Sequence, residues 1–548
     1  MYLRQFSAAA IVSIVASSLW YYRKEPDQKR ELAGSPTTAR GLPHLNPAVA
    51  NGQSQSRPVV EDDRFFVQEV ASSGPIIKSA EVQSVSPHAM LNPEEATQKL
   101  RHLQESYEVL RGRGVLRYDI VQLPSNNPIE DDHVEKLMET SPSVPLHDQT
   151  DSSATSDWMF WSVFDGHSGW TTSAKLRQVL TSYVARELDA TYKHTIAASS
   201  LLPPSAALVD AAIKQGFLKC DHDIVHESIN RAKKANTKSA AADILGPALS
   251  GSCALLSFYD SRSKDFRVAC TGDSRAVLGR LNPNGTWTAQ PLSEDQTGGT
   301  PSEMARLRAE HPGEPNVVAH GRILGNLEPS RAFGDAHYKW ARDIQDMVKK
   351  DWFGRSPLTL LKTPPYVTAE PVVTTTRVMP EKGDFVVLAT DGLWEMLTND
   401  EVVGLVGRWL EENPLKSKTT PSASPSWTRS FLGGKARSDA SLPVNRLHNE
   451  SSQSGQRSPI RRQQWDITAG DERFVVEDKN AATHLVRNAL GGRDRDMVCG
   501  LLTLPSPYSR RYRDDLTVEV IFFGEAEPCG DVVLNVEASA PRIARPKL

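Results

Sequence analysis

Three aspartates stand where a strongly apolar run stops: Asp165 after WMFWSVF, Asp273 after FRVAC-Thr-Gly, and Asp391 after FVVLA-Thr. A fourth acid, Asp514, stands just before the last such run, LTVEVIFF. If these runs are strands, three that end in Asp and one antiparallel strand that begins after Asp gather carboxylates at one edge of a sheet. That is the outline of a metal site. Taken singly, each Asp-Gly or Gly-Asp is ordinary turn punctuation; the four together, with the words around them, point to chemistry.

The elements that must position these acids can be read from the same rows. Asn92-Pro93-Glu94-Glu95 is a helix start, with Asn as cap, Pro in the first turn and acids behind it, and this helix is expected to run to Gly112 or Gly114. Leu176, Val179, Leu180, Tyr183 and Val184 recur at helical spacing and predict a helix over about 170–189, with another over about 205–233. Strands are expected at 158–164, 253–259, 266–270, 275–280, 385–389 and 516–523. Paired helices with antiparallel strands suggest an α/β (α+β) layered sandwich.

Composition narrows the class. The 548 residues carry 63 basic and 67 acidic side chains, so no global basic field exists of the kind that nucleic-acid binding needs. Cys220, Cys253, Cys270, Cys499 and Cys529 form no CxxC pair and no zinc-like spacing, and read as reduced thiols, mostly in the core.

Residues 1–24 form a separate unit. The uncharged stretch from Gln5 to Tyr22, flanked by Arg4 and by Arg23 and Lys24, has three readings: a secretory signal, a short membrane anchor, or part of a mitochondrial targeting segment. The lack of a disulfide pattern counts against secretion. Residues 25–64 read as a disordered linker, 65–526 as the folded domain, and 527–548 as a tail. Within the domain, 416–464 is rich in Ser, Pro, Arg and Lys and reads as a disordered basic insertion, either a solvated loop or a docking or phosphorylated segment. Pro546-Lys547-Leu548 is one residue away from the Ser-Lys-Leu peroxisomal address, against the plain reading of a disordered tail.

The words around the acids also carry a resemblance. FDGHSGW at 164–170, CTGDSRA at 270–276, SRAFGD at 330–335, LATDGLW at 388–394 and YRDDLTV at 512–518 resemble, in order, the motif set of the metal-dependent type 2C protein phosphatases. Inside that family, DIVQLPSNNPIEDD at 119–132, RILGNLEPSRAFGDAHYKW at 322–340, PPYVTAEP at 364–371 and NAATHLVRNALG at 480–491 resemble the pyruvate dehydrogenase phosphatase branch and related fungal mitochondrial enzymes.

The resemblance implies a central antiparallel β-sandwich flanked by helices on both faces, and a serine/threonine phosphatase using two Mg²⁺ or Mn²⁺ ions and an activated water. It implies Glu130, Asp131, Asp165, Asp391 and Asp514 as metal carboxylates, the Gly166 carbonyl as a further ligand, and Asp165 as the bridging one. His167 takes the family's general-acid role, against the alternative of a histidine capping the following helix. Asp273, with Glu395 as companion, matches a third, weaker metal site.

One departure stands out: Asn126 occupies the place where many members carry a phosphate-holding Arg, and brings neither charge nor a bidentate fork. Arg331 is a substitute for that role or a structural brace. The implied substrate is a phosphoprotein, with the pyruvate dehydrogenase α subunit as candidate and the mitochondrion as its place. The competing readings are a pseudophosphatase that binds phosphoproteins without turnover and a phosphatase acting on small molecules; all five core acids are present, and the motif words disfavour the latter.

Overall fold

The computed structural model describes residues 89–140, 155–197, 203–416, 441–446, 459–465, 467 and 470–541. The hydrophobic stretch 5–22, the 25–64 linker and the Pro-Lys-Leu terminus lie outside the described residues. No helix among the described residues is long and apolar enough to cross a membrane.

Strands follow in chain order. The first are β1 (Gln104–Val109), β2 (Val115–Leu123), β3 (Asp132–Thr140), β4 (Ser156–Phe164) and β5 (Gly166–His167). Next come β6 (Gly251–Ser252), β7 (Ala254–Asp260), β8 (Asp265–Thr271), β9 (Arg275–Leu281) and β10 (Trp287–Pro291). A small hairpin, β11 (Val318–Ala319) and β12 (Arg322–Ile323), precedes β13 (Phe333–Gly334), β14 (Val372–Arg377) and β15 (Phe385–Ala389). The last are β16 (Leu516–Phe523) and β17 (Val532–Leu534). They build a seven-stranded sheet in the order β10-β9-β15-β16-β2-β1-β17 and a five-stranded sheet in the order β14-β8-β7-β4-β3.

Side-chain alternation sets the layers. On β16, Val518, Val520 and Phe522 face outward into a core shared with helices Asn399–Glu412 and Ala481–Ala489, while Ile521 and Phe523 face inward. On β4, Trp158, Phe160 and Phe164 pack outward against Thr171–Ala197 and Ala206–His222, while Met159, Trp161 and Val163 face inward. The inward residues of both sheets meet in one sandwich core. The fold is therefore helix, sheet, sheet, helix, the expected class. Strands buried on both faces explain why WMFWSVF and LTVEVIFF are near-continuous apolar runs.

Two boundaries depart from expectation. The first helix is Pro93–Leu100, capped by Asn92 in a capping box with Glu95, and it stops well before Gly112. Residues 104–109 alternate between buried and exposed and pair with β2, so sheet pairing overrides the helical reading. The C-terminal tail is not separate from the domain: β17 pairs with β1 (Tyr107 opposite Leu534), and Ala538 is buried.

The insertion 416–464 is not uniformly without structure. Trp287 donates its N–H to the Pro443 carbonyl and accepts the Asn445 N–H, both at 2.7 Å, so residues 443–445 cover the open edge of β10. Leu442 is buried in the core beside them. A short helix, Ile460–Gln464, also lies in this segment.

Candidate active site

Each acid is placed by where its strand ends. Ala389 at the end of β15 pairs with Val518 near the start of β16, which puts Asp391 and Asp514 at one edge of the seven-stranded sheet. Asp165 follows β4 and Asp273 follows β8 on the other sheet. Across the sandwich, Asp165, Asp273 and Asp391 offer carboxylate oxygens within 4.8 Å of one another. The Asp391 N–H donates to Asp165 Oδ2 at 3.4 Å.

Asp131 joins them from the start of β3. Its Oδ2 accepts the hydroxyls of Thr390 at 2.9 Å and Thr517 at 2.8 Å, one from each side of the β15–β16 pair. Burial, then the neighbouring Asp515 charge, push its carboxyl well above the usual range. Asp165 is raised in the same way, by burial and then by Asp391, Asp131 and Asp273. Crowded carboxylates of one sign, all hard oxygen donors, fit divalent cations of the Mg²⁺ and Mn²⁺ kind.

The loop that carries Glu130 is tied by Asp515. Its carboxylate accepts backbone N–H groups of Ser125 (2.5 Å), Asn126 (2.8 Å) and Glu130 (2.8 Å). Asn126 adds a side-chain hydrogen bond to Asp515 at 3.1 Å and one to Glu130 at 3.3 Å, so it holds the loop. Gly166 passes so close to this loop that a Cβ there would lie 2.1 Å from the Glu130 carbonyl oxygen. Only glycine fits.

His167 is positioned by a sheet that the strand pattern of the sequence does not foreshadow. Strands β5, β6 and β13 pair in the order β13-β6-β5, bringing His167 of the DGH turn beside Asp335, which follows β13. The His167 Nε2 and Asp335 Oδ2 lie 2.7 Å apart. Gly251 on the middle strand leaves the space, since a Cβ there would meet His167 Nε2 at 2.1 Å. Asp335 adopts a left-handed conformation (φ 45°, ψ 38°) that turns its side chain into this contact. Burial works against a charged ring, but the Asp335 charge and hydrogen bond, with Asp273 and Glu130 beyond, hold the His167 pKa above its ordinary value.

Other residues fall differently. Asp514 pairs with Arg510. Glu395 does not join the Asp165, Asp273 and Asp391 group; its carboxylate takes the Arg461 guanidinium at 2.9 Å, from the helix inside the insertion. Asp273 accepts the Cys253 thiol at 3.2 Å. Arg331 is a brace: it reaches Glu303 at 2.7 Å and the Glu370 carbonyl at 2.8 Å.

Three residues of the site are not singled out by sequence reasoning: Asp515, which stands beside Asp514 in YRDDLTV, Asp335 and Arg510. Asp335 is visible as the last letter of SRAFGD, but its partner depends on β6 lying between β5 and β13. Arg510, four residues before Asp514, brings positive charge that lowers the carboxyl pKa of both Glu130 and Asp165 in part. The basic run Arg510-Arg511 shortly ahead of Asp514 is its signal.

A four-layer sandwich with acids gathered at one edge of its paired sheets defines a metal-dependent phosphatase. The sequence pattern of the family described as Protein phosphatase 2C matches residues 130–424, and the chain belongs to that family and is a protein serine/threonine phosphatase. It is 42% identical over 478 residues to the mitochondrial [pyruvate dehydrogenase [acetyl-transferring]]-phosphatase 1 of Saccharomyces cerevisiae, covering 84% of this chain and 79% of that one. A protein phosphatase 2C homolog of Schizosaccharomyces pombe is 42% identical over 433 residues, covering 78% of this chain and 85% of its own. The mitochondrial [pyruvate dehydrogenase [acetyl-transferring]]-phosphatase 2 of Homo sapiens is 27% identical, covering 80% of this chain and 84% of its own.

Proposed function

We propose that this phosphatase hydrolyses phosphoserine or phosphothreonine on the pyruvate dehydrogenase α subunit, in the mitochondrion, with two Mg²⁺ or Mn²⁺ ions held by Glu130, Asp131, Asp165, Asp391, Asp514 and the Gly166 carbonyl. The observation that carries the chemistry is the convergence of Asp165, Asp273 and Asp391 from two different sheets. The substrate and location rest on the names of the similar proteins above.

A pair of divalent ions held by these residues would supply an activated water and neutralise phosphoryl charge. The chain's own residues do the rest. Asp515 fixes the loop so that Glu130 and Asp131 face the same point as Asp165. His167, whose protonated form the Asp335 carboxylate favours, gives its proton to the departing serine or threonine oxygen. Arg510, half-exposed at the rim, takes the phosphate-binding task that Asn126 cannot perform, because a guanidinium matches phosphate oxygens. Asp273 would hold a third, weaker ion, with Arg461 competing for Glu395.

Phosphate release from a phosphoserine peptide and from phosphorylated pyruvate dehydrogenase by the full chain tests this reading. Turnover with Mg²⁺ or Mn²⁺ that vanishes with EDTA and in Asp165→Asn is expected. A folded, metal-loaded chain that turns over neither substrate would leave a binding role instead.

A further inference from the structure

A second group of ligand-type side chains lies inside the sandwich, one step further along β3 than Asp131. Residues at odd positions of β3 face inward, since Leu137 packs into the inner core while Val134 and Met138 pack outward. His133 and Glu135 therefore point between the sheets. Opposite them, Glu519 faces inward from the middle of β16. One nitrogen of His133 and one oxygen each of Glu135 and Glu519 lie within 4.8 Å of one another.

Glu519 is the informative member. It is 0% exposed, and among the described residues the one group within hydrogen-bond reach of its carboxylate is a second carboxylate, which can bond it only through a shared proton. Leaving a buried carboxylate without donors is costly, so such a group is paired, protonated or bound to a metal. What it meets is another carboxylate, Glu135, whose other neighbour is His133 Nδ1 at 2.7 Å. Burial and the facing Glu135 charge push the Glu519 carboxyl well above its usual range.

Space and access are both present. A cavity of ≈ 20 Å³ lined by Tyr118, Glu135 and Trp161 adjoins the group, enough for one water-sized occupant. The Trp161 indole N–H, also buried and without a hydrogen-bond partner among the described residues, lines the same cavity. Because β3 is the edge strand of its sheet, the His133 and Glu135 side chains keep 12% and 18% of their surface exposed. An ion can enter along that edge.

We propose that His133, Glu135 and Glu519 form a second divalent-cation site, of the Zn²⁺ class, inside the edge of the β-sandwich and separate from the catalytic acids. An imidazole with two carboxylates matches Zn²⁺ better than Mg²⁺, which takes oxygen ligands and keeps several waters. Two carboxylates balance the charge of the ion. A water in the cavity completes the coordination and accepts the Trp161 N–H. The ion clamps β3 to β16 across the sandwich, next to the point where Asp131 enters the catalytic group.

The test uses the full chain with the catalytic acids disabled by Asp165→Asn and Asp391→Asn, dialysed against Zn²⁺ in excess Mg²⁺. About one Zn²⁺ per chain is expected to remain, to raise the thermal midpoint, and to be lost when Glu519→Gln or Glu135→Gln is added. X-ray absorption at the zinc edge of the unmutated chain should show one imidazole and carboxylate oxygens, a measurement that does not depend on any variant folding. No retained Zn²⁺, or retention unaffected by both substitutions, overturns the proposal. Glu519 and Glu135 then share a proton instead.

Discussion

The catalytic rim and the interior of the sandwich both crowd acids together, and they resolve the crowding in opposite ways. At the rim, Asp131, Asp165, Asp273 and Asp391 come from strand ends, where the loops of two sheets meet. In the interior, Glu519 is held mid-strand, where only an opposing side chain can answer it. The same contrast holds for two histidines. His167 at the rim lies beside Asp335 and is pushed toward the charged form. His484 in the core hydrogen-bonds the Leu405 carbonyl (3.1 Å) and the Asn488 amide (3.2 Å), and burial lowers its pKa to about 4. The rim histidine is tuned by a neighbouring charge, the core histidine by the absence of water.

The largest break in this comparison comes from the rim. Asp391→Asn is expected to lower kcat by about 10³-fold or more, since it removes metal affinity and transition-state charge stabilisation together. In EDTA the same variant should keep or raise its thermal midpoint, because it relieves repulsion with Asp165. A fall in both activity and metal-free stability would show that these carboxylates brace the fold.

The core histidine gives the next effect, on stability alone. Its unfolded pKa is near 6.5 and its folded pKa about 4, so the unfolded chain binds the extra proton between those values. Stability is full above about pH 6.5 and declines as the pH falls to about 4, by about 3 kcal/mol from this residue. Urea unfolding across that range, with His484→Gln as the flat control, measures it. Equal slopes in the two chains would remove His484 from the account.

Leaving-group dependence sharpens the assignment of the rim histidine. Asp335→Asn should cost about 10²-fold on a phosphoserine peptide and far less on an aryl phosphate, whose leaving group needs no proton. A uniform loss on both substrates would make Asp335 a purely structural contact. The smallest effect is expected at Arg510: Arg510→Ala should raise KM about tenfold with kcat nearly unchanged, the signature of a group that binds phosphate equally in ground and transition states. A loss in kcat alone would place Arg510 with the metal acids instead.

Several of these residues are legible in the chain's own letters. Asp165, Asp273 and Asp391 announce themselves because a strand that ends at a site must stop its apolar run, with Asp-Gly and Gly-Asp turns marking the stop, and Asp514 because it stands just before the run LTVEVIFF begins. The capping box at Asn92 is equally local, although the helix it begins is short because β1 follows at once. Glu519 leaves a trace as the one charge in LTVEVIFF, and DHVEKLMET carries His133 and Glu135 on one face of its strand. Nothing local says that these two strands oppose each other.

The sequence by itself determined the local decisions: where strands start and stop, which faces are apolar, and which acids stand at the ends. Those follow from backbone sterics and from a side-chain period that any short window contains. The tertiary structure alone decided which ends meet. Asp335 reaches His167 through a middle strand with Gly251 in it, Arg461 takes Glu395 from a segment read as unstructured, and Glu135 faces Glu519 across two packed sheets. Each contact joins residues 66 to 384 positions apart in the chain, and their approach is set by the stacking of whole layers rather than by any propensity of the residues concerned.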